Sequence, residues 1–186
     1  MAADGENKVD DAFRAKWKEQ RWVETAREGD FEGCIRDMGV NAAVSKVVNF
    51  ATAVKPGSEY TLKVVDGAPL PVGRLPATRR ASLGQFIRIR HNMMSDKVGA
   101  PKTLGDTTPV EDVGDDGRKV MSVAYVKEGG VIETKNVYVD TPELVGFSTY
   151  EISEDGKTMK NTITSRNGIS FTMAFVPAEA PTGWFS

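Results

Sequence analysis

Hydrophobic and polar positions change rhythm along this chain, and each change predicts a different element. Over residues 10–20 two aromatics, Phe13 and Trp17, stand four apart among charged side chains. That spacing puts both on one face of a short helix, expected to pack on the outside of the domain. RWVETAR at 21–27 then alternates like a short strand. A helical period follows. Asp30 is placed as an N-cap and Gly39 as a stop, and Phe31, Ile35 and Met38 fall at i, i+4 and i+7. Asn41 can cap a second helix striped by Val44, Val47, Val48 and Ala51, which Pro56 and Gly57 end. Residues 30–54 therefore read as two short helices in a hairpin.

After Pro56 the period is two. Strand-like runs cover 59–66, 85–93, 118–127, 131–139, 144–153, 158–166 and 169–176. Turn signals separate the later ones, with AspGly at 155–156 and AsnGly at 167–168. Those pairs favour hairpins because glycine tolerates the positive φ of tight primed turns. Weaker strands near 97–103 and 108–113 carry Pro101 and Pro109, which makes them edge-like or bulged. The pattern predicts a mainly β fold. It has about ten strands in an antiparallel up-and-down barrel, a helix-turn-helix lid after the first strand, and an N-terminal helix. Residues 67–84 break the rhythm with Pro69, Pro71, Pro76, Arg74, Arg79 and Arg80. They read as an inserted loop, either a surface insertion or a contact for an anion or partner. The divisions are a helical extension at 1–19, the barrel at 20–178 and a tail at 179–186.

Composition narrows the function. The chain has 186 residues, 40% apolar and 27% charged, enough to bury one core. A net charge of -2 gives no basic excess to point to nucleic acid. No apolar run approaches the roughly 20 residues of a membrane span. The polar, acidic start MAADGENKVDDAF lacks the regions of a secretory signal, although a chain processed earlier would look the same. With a single cysteine, Cys34, this favours a cytoplasmic setting. One cysteine and one histidine, His91, exclude a Cys/His zinc site. No phosphate loop and no Ser/His/Asp constellation is present. The expectation is a non-enzymatic protein with no metal and no cofactor.

Ordered segments then suggest a family. DFEGCIRDMGVNAAVSKVVNFA resembles the helix-turn-helix lid of the intracellular fatty-acid-binding and cellular retinoid-binding proteins, within the calycin group. Trp22 resembles their first-strand tryptophan, one residue further from Phe31 than usual. LGDTTPVEDVGDDGRKVMSVAYVKEGG is similar to their middle hairpin, and DGKTMKNTITSRNGISFTMAFV to their closing hairpin. The resemblance spans about residues 20–178. It implies a barrel that encloses a small lipophile for binding or transport. Many members grip a ligand carboxylate with an Arg-x-Tyr pair on the last strand. Met173 and Phe175 stand at those positions here, and a third family arginine falls near Tyr150 or Glu151.

Those departures shape the expected site. Ile169, Phe171, Met173 and Phe175 share one face of the last strand. Turned inward, they either fill a closed core or make an aromatic, thioether-rich wall without counter-charge. Such a wall points to a neutral lipophile: a lipid, sterol, retinoid-like compound or pigment. If Ile87 and Ile89 point inward, so does His91, leaving Arg88 and Arg90 outward. His91 then either hydrogen-bonds a ligand or is satisfied at a strand end. Arg166, with Thr162 and Thr164, forms either a polar patch or a solvated face. The candidate ligand residues are Phe171, Met173, Phe175, His91, Tyr150 and Arg166. The candidate lid residues are Phe31, Ile35, Met38, Val47, Val48 and Phe50. The alternative is a structural or protein-interaction module with a closed barrel. It would use Phe13, Trp17, the 67–84 loop and a terminal anchor, Trp184 with Phe185.

Overall fold

The computed structural model describes residues 9–40, 58–66, 84–91, 96–114, 117–143 and 145–178. The expected second lid helix with Val47, Val48 and Phe50, nearly all of the 67–84 loop, and the tail with Trp184 and Phe185 lie outside the described residues. Among the described residues eleven strands form one sheet. They are β1 (Gln20–Gly29), β2 (Glu59–Asp66), β3 (Gly84–His91), β4 (Lys97–Val98), β5 (Lys102–Thr103) and β6 (Val110–Val113), then β7 (Lys119–Lys127), β8 (Val131–Tyr138), β9 (Val145–Ile152), β10 (Met159–Ser165) and β11 (Ser170–Pro177). The strand order is β4-β3-β2-β1-β11-β10-β9-β8-β7-β6, with β5 also on β3. Neighbours are antiparallel, and the first long strand pairs with the last. The mainly β, roughly ten-stranded meander expected from the alternation is what the chain forms.

The sheet curls until its two ends meet. Leu104 N–H donates to Gly84 O at 2.9 Å, and the next amide, Gly105 N–H, donates to Ala124 O on β7 at 2.9 Å. Elsewhere the ends are crossed by side chains. The segment around 97–103 breaks into β4 and β5 at Gly99–Pro101, as proline in a strand demands.

Among the described residues two α-helices meet this sheet. Helix α1 (Asp11–Lys16) is capped by Asp10, whose carboxylate accepts from Phe13 N at 2.8 Å. Its aromatic pair is the face that packs on the barrel. Phe13 is buried and Trp17 fully so. Trp17 meets Phe86 edge-on with ring centroids 6.2 Å apart, and its indole N–H donates to Gly130 O at 2.9 Å. An indole gains most where it finds apolar area and an acceptor together, and the end of the barrel supplies both. Helix α1 thus plugs that end. Helix α2 (Phe31–Asp37) follows β1, capped by Asp30 as expected, with Asp30 Oδ1 accepting from Gly33 N at 2.8 Å. Gly39 adopts φ +84°, the left-handed stop read from the sequence.

The core runs between the plug and the lid. Leu62, Phe86, Leu104, Ile132, Met159 and Phe175 are almost or wholly inaccessible. The register of β1 has one irregularity. Glu24 pairs with Phe175 while Ala26 pairs with Ala174, so Thr25 is surplus. This bulge shifts the inward parity, and Glu24 and Arg27, three apart, both turn in.

Candidate functional site

A cavity of about 550 Å³ lies inside the barrel, a volume in the range of small-molecule sites. Its lid side is made by Phe31, Ile35 and Met38 from α2, the three residues whose helical spacing predicted one face. Phe31 packs edge-on against Phe171 with centroids 4.8 Å apart. Asp37 ties the lid to the turn after β10, accepting from Asn167 Nδ2 at 2.6 Å and from Asn167 N at 3.3 Å. Phe171 and Met173 from β11, Ile163 from β10 and Tyr150 from β9 continue the wall. Beneath α2, Cys34 is fully buried and its thiol contacts Ile163 O at 3.7 Å. Burial pushes its pKa up to about 11, so it is an inert, packed thiol.

The opposite wall overturns the expectation of an uncharged cavity. Phe86, Arg88 and Arg90 line it, whereas Ile87, Ile89 and His91 do not. The parity of β3 is set by β2. Tyr60, Leu62 and Val64 are the inward residues of β2, and they pair with Arg90, Arg88 and Phe86. His91 lies on the other side of the sheet. Its Nε2 is 2.7 Å from Thr61 Oγ1 and its Nδ1 is 2.9 Å from Asp96 Oδ1. The strand-end reading of His91 thus fits its surroundings, and the ligand-contact reading does not. Arg166 is exposed, donates to Glu143 O at 3.0 Å, and does not reach the cavity. Phe175 is fully buried against Tyr60, with centroids 5.6 Å apart, and lies off the cavity surface.

Arg88 places its guanidinium 5.5 Å from the Tyr60 ring centre, with Nη1 3.5 Å from Tyr150 Oη. Arg118, just before β7, donates to Met38 O at 2.6 Å and stacks 3.8 Å from the Tyr138 ring centre. Arg27 lies 4.5 Å over the Phe31 ring and forms an ion pair with buried Glu24 at 2.7 Å. Glu24 Oε2 also accepts from Ser58 N at 3.2 Å. Lys102 and Asp112 pair where β5 faces β6, both nearly buried. Asp112 Oδ1 accepts from Val113 N at 2.8 Å and Ala100 N at 3.2 Å, and Lys102 Nζ donates to Ala100 O at 3.1 Å. Burial lowers the Lys102 pKa, against the pull of Asp112. Burial opposes ionisation of Asp112 too, but the Lys102 contact and two amides outweigh it and hold the carboxyl below its usual range.

Sequence reasoning missed all of these charges. One signal was available: β2 has an unambiguous apolar face, and its pairing with β3 carries that face to Phe86, Arg88 and Arg90. Arg27 had no such signal, because the Thr25 bulge reverses its parity.

This architecture is the fold of the fatty-acid-binding proteins. Particular solved structures match over nearly the whole of their own chains, at identities that speak for the fold alone. As-p18, an extracellular fatty acid binding protein, superposes with a TM-score of 0.60 at 14% identity, covering 89% of this chain and 99% of the other. The fatty acid binding protein of Schistosoma mansoni, in complex with arachidonic acid, gives 0.60 at 14%, covering 89% and 98%. Secretory abundant heat soluble protein 4 from Ramazzottius varieornatus gives 0.56 at 13%, covering 89% and 96%. No protein-family model and no curated protein sequence matches the chain. No helix among the described residues is long and apolar enough to cross a membrane.

Proposed function

We propose that this protein binds, and carries, a small lipophilic molecule inside the barrel. The observation that supports this most is the cavity of about 550 Å³ under the α2 lid, with Phe31, Ile35, Met38, Phe171 and Met173 on its wall. Apolar area removed from water in such a site stabilises a complex by roughly 25 cal/mol per Å², and thioether and aromatic groups adapt to different shapes. Two structural neighbours are described as fatty acid binding proteins, one with arachidonic acid bound, which is in keeping with this reading. The arginines redirect the expected ligand from a wholly neutral lipophile to an amphiphile with a polar or acidic end. Binding and release are non-covalent, with Phe31 and Met38 moving with the lid.

The test is a titration of delipidated full-length protein with 1-anilinonaphthalene-8-sulfonate, followed by displacement with unlabelled lipophiles. One saturable site per chain with micromolar or better affinity is expected. Phe171→Ala, which removes a wall ring and its contact with Phe31, should weaken binding about tenfold, in line with the roughly 1.5–3 kcal/mol of one large apolar side chain. Absence of stoichiometric binding across fatty acids, sterols and pigments would rule the reading out.

A further inference from the structure

One sector of the cavity wall is polar without being charged. Within β7, β8 and β9 the inward positions carry no ionic side chain. Beside two tyrosines they carry Ser122 on β7, Thr134 and Asn136 on β8, and Ser148 on β9. Thr134, Asn136 and Ser148 line the cavity, and Ser122 is wholly buried next to them.

Strand register gathers these groups into a shelf. Thr134 pairs directly with Ser148, and Asn136 pairs with Ser122 on one side and Gly146 on the other. Directly opposed side chains on one face stand about 4.5–5.5 Å apart at their Cβ atoms. Ser122 Oγ donates to Asn136 Oδ1 at 2.5 Å, which anchors that amide and leaves its N–H groups to donate elsewhere. Thr134 and Ser148 are only 5% and 8% exposed, yet among the described residues neither hydroxyl has a hydrogen-bond partner. A dry hydroxyl without a partner is costly, so a wall built only for packing would carry valine and alanine at these positions. A group that both donates and accepts is matched best by another of its kind. A ligand hydroxyl set between Thr134 and Ser148 can accept from one and donate to the other.

Apolar wall frames the shelf. Ile163 pairs with Ser148 on its far side, Phe171 pairs with Ile163, and both line the cavity. At the lid, Gly146 makes the room: a Cβ there would stand 3.0 Å from Met38 Sδ. Met38 of the lid therefore comes down at the edge of the shelf, beside Asn136.

We propose that the ligand is a long-chain lipid with a hydroxyl group on its apolar body, and that Thr134 and Ser148 hold this hydroxyl with Asn136 beside them. This rests on the reading of the cavity as a lipophile site and names a polar function of the lipophile. A plain methylene chain laid over the shelf leaves two buried hydroxyls unbonded. A hydroxylated chain satisfies them, and that difference sets the preference.

The experiment compares octadecanoic acid with 2-hydroxy-, 10-hydroxy- and 12-hydroxyoctadecanoic acid as displacers of 1-anilinonaphthalene-8-sulfonate from the delipidated full chain. At least one hydroxy acid should bind about tenfold more tightly than octadecanoic acid. Thr134→Val combined with Ser148→Ala, which removes both hydroxyls at nearly constant volume, should bring that ratio to within about twofold of one. Thr134→Ser, which keeps a hydroxyl, should keep the preference. Where the double variant does not fold, Ser148→Ala alone serves and should lose most of the ratio. Hydroxy acids that all bind within about twofold of octadecanoic acid overturn the proposal while leaving the lipophile site intact. A preference that survives undiminished in the variants without the hydroxyls overturns it as well. Failure of all four acids and of the probe to bind overturns the lipophile reading itself, and this inference with it.

Discussion

Asp112 and Lys102 show how much a single side chain carries in this molecule. They span the part of the barrel where β5 faces β6 across the meeting of the sheet's two ends. Removing one partner strands the other charge in a nearly dry place, whereas removing both does not. Asp112→Asn should therefore destabilise the fold by about 3–5 kcal/mol in urea denaturation. The double replacement Lys102→Met with Asp112→Leu should cost much less than that single change. A double variant as unstable as the single one would mean that the pair is more than an ion pair. The acid limb gives an independent check. Asp112 has its pKa lowered in the folded protein, so its stabilisation is complete above the unfolded carboxylate range and is lost as pH falls through the folded value. The wild type should lose stability more steeply below about pH 4 than the double variant.

At the scale of an element, the lid helix depends on its first turn. Gly33 sits so close to its own cap that a Cβ there would fall 2.1 Å from Asp30 Oδ2. No side chain fits without breaking the cap. Gly33→Ala should therefore cost the cap, about 1 kcal/mol or somewhat more, despite alanine's better helix propensity. Hydrogen exchange reads this locally. Amides of residues 33–38 should exchange several-fold faster in the variant while those of β7 to β10 are unchanged. Uniform acceleration across the sheet would show that α2 is part of the global folding unit rather than an independently opening lid. The Asp37–Asn167 contacts hold the other end of the same helix to the turn after β10.

For the whole molecule, the decisive device is the plug. Helix α1 has only six residues and would be marginal alone. Trp17 makes it part of the barrel through full burial, the Phe86 contact and the bond to Gly130. Trp17→Ala should destabilise the whole protein by about 3–5 kcal/mol, the usual cost of deleting a large buried ring. Thermal unfolding should remain a single transition at lower Tm. A change below about 1 kcal/mol would return α1 to the status of an appended surface helix.

The expectations that held were those set by local period and turn chemistry. Alternation from Glu59 onward, hairpin glycines at 156 and 168, and the Asp30 cap with its Phe31, Ile35 and Met38 stripe were enough for the barrel class and for the α2 half of the lid. They were enough because each is decided within a few residues by backbone sterics and by one buried face. Three other properties were decided only by tertiary structure. Strand β3 has apolar residues in both parities, and its pairing with β2 turned Arg88 and Arg90 inward and His91 away. A single surplus residue, Thr25, brought Arg27 to the cavity. Trp17 became a core residue because the barrel end offered both area and an acceptor. Side-chain alternation states which residues share a face, but not which face is inside. Only the partner strand, the bulge and the closure of the sheet determine that, and with it the charge of the site.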